Sequence, residues 1–372
     1  MRFPALGSHD PGLDIAGAED VELPTSSAPV CLRIVGEAHD SSDPDGGRHG
    51  GGKPLRAAGI ADIVLPFDIR FVWGPLPSDA ELATFLEARS TKHDSPGSHW
   101  LDFVCPLHLG EIEGINLGLI AFCERCEAIE LWVDPEPNAQ LTLIWPLDYL
   151  RRHGKTASKL TLVQADVRIG NHLPEEVAGW RLPAVKMLNH HLETASAAWQ
   201  AYRAPTPQDW FNLLPRDLSM LPQLRQTVEE LLEELPTDVT ALGATEMRML
   251  ELISAGNARP FDIFPGHRKR NQRRVFSYWE VGSLLDGLAG SPTPALSGLD
   301  EGPFTLEMHD DRNRLARYKR SKLKLTALGE AILARTEDFS RHNPIHRWWG
   351  GTELTNDRLW RWDPANRTLI AP

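Results

Sequence analysis

Two spacings of apolar residues divide the chain. From Val30 to Gln164 four short β-favouring runs recur, VCLRIV (30–35), DIVLPF (62–67), AIELWV (128–133) and KLTLVQ (159–164), spaced too widely for tight hairpins. Helical patterns fill the gaps between them. Ser78 and Glu81 form an S-x-x-E capping box ahead of Leu82, Phe85 and Leu86, and Ile112, Ile115, Leu119 and Phe122 keep helical spacing before AIELWV. Strand and helix in alternation predict a parallel sheet covered by helices, a Rossmann-like α/β domain over residues 30–170 with ligands beyond the carboxyl ends of its strands. Residues 1–29 show neither period and are rich in Pro, Gly, Ser and Asp, which predicts a mobile tail.

Beyond Gln164 the spacing becomes helical. Met187, Leu188, Leu192, Ala195, Trp199 and Tyr202 make one stripe; Leu224, Val228, Leu231, Leu232 and Leu235 make another, with Glu229, Glu230, Glu233 and Glu234 read as facing outward. Thr206, Pro207 and Asp209 read as a cap, an N1 proline and a first-turn acid of a helix between them. Residues 171–240 are thus a helical connector. Residues 241–340 run as a short helix (GATEMRMLELISAG), a basic loop, a helix opened by the Ser277/Glu280 capping box, and KLKLTALGEAILAR, an order that predicts a winged-helix-like module. The last stretch, 341–372, reads as a terminal β-hairpin, and its Trp348, Trp349, Trp360 and Trp362 as clamps onto the helical part or as an interface.

With these blocks in order the chain resembles the domain-of-unknown-function family 1835 of bacterial proteins. The resemblance rests on VLPFDIRFVWGPLP, IELWVDPEPNAQLTLI, SAAWQAYRAPTPQ, LPQLRQTVEELLEELP with GATEMRMLELISAG, LTALGEAILA, and HRWWGGTEL with LWRWD. It implies an α/β N-terminal domain and a helical C-terminal part, and carries no activity with it. Where family members read L-W-F-E-H-D-x-x-D-Q, this chain reads L-W-V-D-P-E-P-N-A-Q, so Asp134, Glu136 and Gln140 stay polar while Pro135 and Ala139 replace a His and an Asp.

Charge sharpens this division. The net charge is −12, yet residues 241–372 hold 20 Lys and Arg against 16 Asp and Glu, while residues 1–240 hold 19 against 35. An acidic body repels nucleic acid, but screening over about 10 Å at 0.1 M salt lets a locally basic module make phosphate contacts. No apolar run approaches the roughly 18 to 20 residues of a membrane span, and the N-terminus has no apolar core of a secretion signal, so the expected location is cytoplasmic and no membrane partner is expected. Four cysteines are too few for a disulfide scaffold.

Candidate chemistry falls in four places. GRHGGGKP (47–54) meets seven of the eight positions of a phosphate-cradling loop, but Pro54 supplies neither hydroxyl nor N–H and EAHDSSDPDG separates it from its strand, so a surface loop is the better reading. Glu37, Asp40, Asp134, Glu136 and Gln140 follow the first and third strands, where carboxylates can gather to hold a ligand or Mg²⁺ or serve as general base; solvated loop acids are the plainer alternative. Cys105-x₂-His108 and Cys123-x₂-Cys126 have zinc-like pair spacing, yet the second pair ends an apolar helix and reads as packing, so no metal or cofactor is predicted. His190 and His191 read as one solvated and one packed side chain. Finally Arg268, Lys269, Arg270, Arg273 and Arg274 precede the capped helix, and Arg317, Lys319, Arg320 and Lys322 fall where a wing would lie; they predict contact with nucleic acid or a protein. Three functions are compatible with these features: a ligand-sensing or regulatory binding protein, a metal-dependent enzyme acting on a phosphorylated or nucleotide-like substrate at the strand ends, and a non-catalytic interaction protein.

Overall fold

The computed structural model describes residues 30–35, 63–67, 69–89, 99–103, 116–169, 172, 176–177, 179–264, 273–305 and 307–372. The N-terminal tail, the Gly47–Pro54 tract, Glu37, Asp40, Cys105, His108 and Arg268 to Arg270 lie outside the described residues. The chain divides into two compact units that do not follow its order. One comprises residues 1–69, 77–134 and 146–192; the other takes 70–76 and 135–145 together with 193–372.

The first unit is built on a five-stranded sheet: β1 (Val30–Val35), β2 (Ile63–Phe67), β3 (Ala128–Val133), β4 (Leu160–Gln164) and β5 (Ala184–Lys186), in the spatial order β2-β1-β3-β4-β5. The expected parallel sheet is corrected here. Only β3 and β4 run parallel, Leu131 opposite Leu162; β1 is antiparallel to both β2 and β3, and β5 to β4. Wide spacing excludes a two-residue hairpin but not antiparallel pairing, because a long connection can return the chain in either direction. Helix α1 (Asp79–Glu87) begins at the expected box: Ser78 Oγ accepts the Glu81 N–H and the Glu81 carboxylate accepts the Ser78 N–H. It buries Leu82, Phe85 and Leu86, and contacts α2 (Leu119–Cys123). A turn of 3₁₀ helix, Trp100–Phe103, puts the Trp100 indole on Phe122, and its N–H donates to Ala88 O at 2.8 Å.

Helix α3 (Pro137–Leu150) follows β3, with Pro146 inside it at the division between the units. Helix α4 (Asn189–Tyr202) follows β5. The second unit continues with α5 (Gln208–Phe211), α6 (Leu224–Glu233), α7 (Ala244–Ser254), α8 (Pro260–Ile263) and α9 (Tyr278–Gly290). The cap of α5 is Pro207 rather than Thr206, with no side-chain bond. Helix α6 buries Leu224, Val228, Leu231 and Leu232 as its stripe requires, and α9 buries Val281, Leu284, Leu285 and Leu288. Two-residue strands β6 (Leu296–Ser297) and β7 (Lys324–Leu325) pair antiparallel, and between them lie α10 (Glu307–Asp310) and α11 (Arg312–Arg320). A helix therefore stands where a wing was expected. Asp311 caps α11 by accepting the Asn313 and Arg314 N–H groups, Arg, Leu and Ala are good helix formers, and Tyr318 packs inward. Helix α12 (Ala327–Leu333) follows β7.

The C-terminus forms two hairpins rather than one: β8 (His346–Trp349) with β9 (Thr352–Thr355), and β10 (Arg361–Asp363) with β11 (Thr368–Ile370). Trp349 and Trp362 are the buried clamps. The Trp349 indole N–H donates to Leu231 O at 2.8 Å and its ring meets Tyr202 and Trp210; Trp362 meets Phe211 and its backbone N–H reaches Pro236 O. The turn before β9 presses on the end of α4: a Cβ on Gly351 would lie 2.0 Å from Arg203 O, so no larger residue fits without moving backbone.

Candidate functional site

Of the strand-end acids, Asp134 and Glu136 are inside the protein rather than in solvated loops. Asp134, in the first unit, is fully buried and accepts the Ile169 N–H at 2.8 Å, tying the end of β3 to the segment after β4. In the second unit Glu136 and Gln140 are buried at the start of α3 with Asn138, whose Oδ1 accepts the Phe71 N–H at 2.8 Å. Asn138 thus fastens the 70–76 segment, a role that spacing does not reveal. Cys123 and Cys126 are free, buried thiols; burial pushes Cys126 up to about 11 and Cys123 higher still, as packing groups rather than reactive ones. Among the described residues no group of three or more His, Cys, Asp and Glu is arranged to hold a metal. His191 is buried, with Nδ1 accepting the Leu188 N–H, and His190 is exposed.

A cavity of about 210 Å³ opens in the second unit. Three carboxylates, Glu230 and Glu233 of α6 and Glu234 at its C-cap, form one side, because positions i, i+3 and i+4 share a helix face. Thr245 of α7, residues 273–276 and Val281 of α9 complete it. Glu230 and Glu234, read from sequence as facing outward, are half-buried. They flank the apolar stripe of α6, and residues 273–276 cover that flank.

The charges in this cavity are unequally satisfied. Arg273 grips Glu230 with Nε at 2.8 and 3.1 Å and Nη2 at 2.9 Å, while Nη1 donates to Gln223 Oε1 at 2.5 Å and Nη2 also donates to Thr227 Oγ1 at 3.1 Å. An arginine expected to meet a partner instead fastens the basic segment to α6, a charge-assisted fork of the strong kind. Glu234 accepts Thr245 Oγ1–H at 2.5 Å and the Thr245 N–H at 3.2 Å, and burial pushes its carboxyl up to about 7. Burial, and then the Glu230 charge, also raise Glu233. Behind Glu234, Glu246 accepts the Gly243 N–H and a two-nitrogen contact from Arg347 at 2.8 and 3.3 Å, so Arg347 is committed there.

The other basic residues lie on α11 and the stretch after it. Arg317, Arg320 and Lys322 are exposed, as are Arg312 and Lys324. Arg317 pairs with Glu301 at 2.6 Å while its side chain stays 52% exposed. Lys319 is turned partly inward, its Nζ 5.2 Å from the centre of the Phe261 ring, and burial lowers its pKa. Arg314 holds the 301–303 loop through Glu301 O and Pro303 O. The capped helix that follows the first basic stretch, α9, is unsuited to a DNA groove, since Tyr278, Glu280 and its leucines are buried, Asp286 is half-buried, and its exposed positions are Gly287 and Gly290. Glu280 is bound by Arg70 through Nε at 2.9 Å and Nη2 at 2.6 Å.

No protein-family model, curated protein or solved structure matches this chain. Among the described residues no helix is long and apolar enough to cross a membrane.

Proposed function

We propose that this chain is a cytoplasmic regulatory binding protein whose C-terminal helical module contacts the nucleic-acid backbone through α11 and the segment that follows it. The observation that carries the reading is the exposed row of Arg312, Arg317, Arg320, Lys322 and Lys324 in a chain of net charge −12. Cations set on a capped helix present charge to phosphates at fixed spacing, which positions a protein on a duplex without specifying sequence. In this reading the module is winged-helix-like, with α7 and α9 as its helices and α11 in place of the wing. Parallel β3 and β4, joined through α3, support the Rossmann-like reading of the first unit, and the ordered blocks quoted above support membership of family 1835.

Anisotropy of a labelled random duplex, titrated with the full chain at two salt concentrations, tests this. Binding should weaken with salt, and the R317A/R320A/K322A/K324A variant should bind less tightly, with a salt slope smaller by roughly one for each side chain that had met a phosphate. Equal binding by both proteins would move the interface elsewhere. No binding by the parent protein would leave a protein partner as the occupant of this surface.

A further inference from the structure

We propose that Glu301 restrains the basic surface of α11, its carboxylate occupying the place on Arg317 that a nucleic-acid phosphate would take. This rests on the nucleic-acid reading of that surface and assigns its regulation; the two fail in different ways in the experiment below.

A carboxylate and a phosphate offer a guanidinium the same partner, an anionic oxygen at hydrogen-bond distance. Arg317 Nε donates to Glu301 Oε1 at 2.6 Å, and this bond, with the charge behind it, raises the arginine's pKa above its ordinary value. Arg317 and Arg320 are both exposed and three positions apart on α11, so they share a face, and the acid holds one member of the row.

The loop that delivers the acid is fixed through its backbone. Gly298 O accepts the Lys322 N–H, and the Asp300 N–H donates to Ser321 Oγ at 2.8 Å. The Glu301 and Pro303 carbonyls accept Arg314, and the Phe304 N–H donates to Asp286 Oδ2 at 2.6 Å. Only side chains need turn for a phosphate to replace the carboxylate, since those of Arg317 and Glu301 remain 52% and 32% exposed. The backbone of Glu301 carries a second sign. Its φ of +64° is left-handed, a conformation that crowds a Cβ and that Gly or Asn adopts more readily. The turn itself does not call for glutamate, and strain of this kind points to a use for the side chain. What that side chain does is hold Arg317. An exposed ion pair is weak, so the restraint tunes affinity by about two- to fivefold instead of locking the surface.

Anisotropy of a labelled random duplex, titrated with the full chain, tests the restraint. The proteins compared are the parent, Glu301→Ala, Asp300→Ala, Arg317→Ala and Glu301→Ala/Arg317→Ala. Alanine keeps every backbone anchor of the loop, so these variants should fold. Glu301→Ala should bind about two- to fivefold more tightly than the parent, with a salt slope steeper by about one for the phosphate that Arg317 gains. Asp300→Ala removes the same charge one residue away and should change affinity less. Arg317→Ala should cost more affinity in the Glu301→Ala background than in the parent. Unchanged affinity in Glu301→Ala, an equal gain in Asp300→Ala, or the same gain with and without Arg317 would each overturn the restraint, while duplex binding by the parent would leave the nucleic-acid reading standing. No binding by any of the five proteins would overturn that reading and the restraint with it.

Discussion

Glu234 shows how far one side chain departs from what its neighbours in the chain suggest. In the run VEELLEELP it is one of four similar acids, and nothing local distinguishes it from Glu229. In the folded protein it meets Thr245 and its carboxyl rises to about 7, above the ordinary value near 4.5. The folded state thus holds this proton more tightly than the unfolded chain does. Its contribution is intact below about pH 4.5, declines as pH rises toward 7 and is constant above, a loss on the order of 3 kcal/mol. Glu234→Gln can keep both Thr245 contacts, the amide oxygen facing the N–H and the amide nitrogen donating to Oγ1. Urea titrations at pH 5, 6, 7 and 8 should show the variant with a flatter stability profile and a gain over the parent at pH 8; parallel profiles would refute the assignment.

Elements are legible where a local rule suffices and illegible where a partner decides. Both S-x-x-E boxes open helices at the expected residues, because capping satisfies orphan N–H groups within one turn of chain. What the second box cannot show is that Glu280 also binds Arg70, which is 210 residues away in sequence. The two parts of this cap should separate on mutation. Ser277→Ala removes a helix cap and should cost about 1 kcal/mol. Arg70→Ala leaves a buried carboxylate with one cation fewer and should cost more, about 2 to 3 kcal/mol, as read from denaturation midpoints. The basic run at 312–324 suggests a wing by its charge, whereas its spacing points to a helix. Asp311 followed by Leu315 and Tyr318 is the helical signal in those same residues.

At the scale of the molecule, the order of the chain and the order of the units disagree. The second unit draws Arg70 to Leu76 and Pro135 to Trp145 out of the sequence of the first. Phe71 packs edge-on against Trp145 and Trp199, its N–H goes to Asn138 and its carbonyl accepts the Tyr202 hydroxyl at 3.1 Å. A fragment of residues 193–372 would lack all of these, together with the partner of Glu280. It should express poorly or melt without cooperativity, whereas the full chain melts cooperatively; near-ultraviolet circular dichroism of both would show it, and a fragment with full aromatic dichroism would contradict this account.

Periodicity, caps and composition are enough to locate β3, β4, α6, α7 and α9, and to separate an acidic part of the chain from a basic one, since each depends on contacts within a few residues or on a sum over many. The antiparallel course of β1, the burial of Asp134 and Asn138, the capture of Arg273 by Glu230 and the cavity beside α6 depend on residues far apart in the chain. No local pattern encodes such meetings: strand direction follows from long connections, and a carboxylate's charge from what is packed over it.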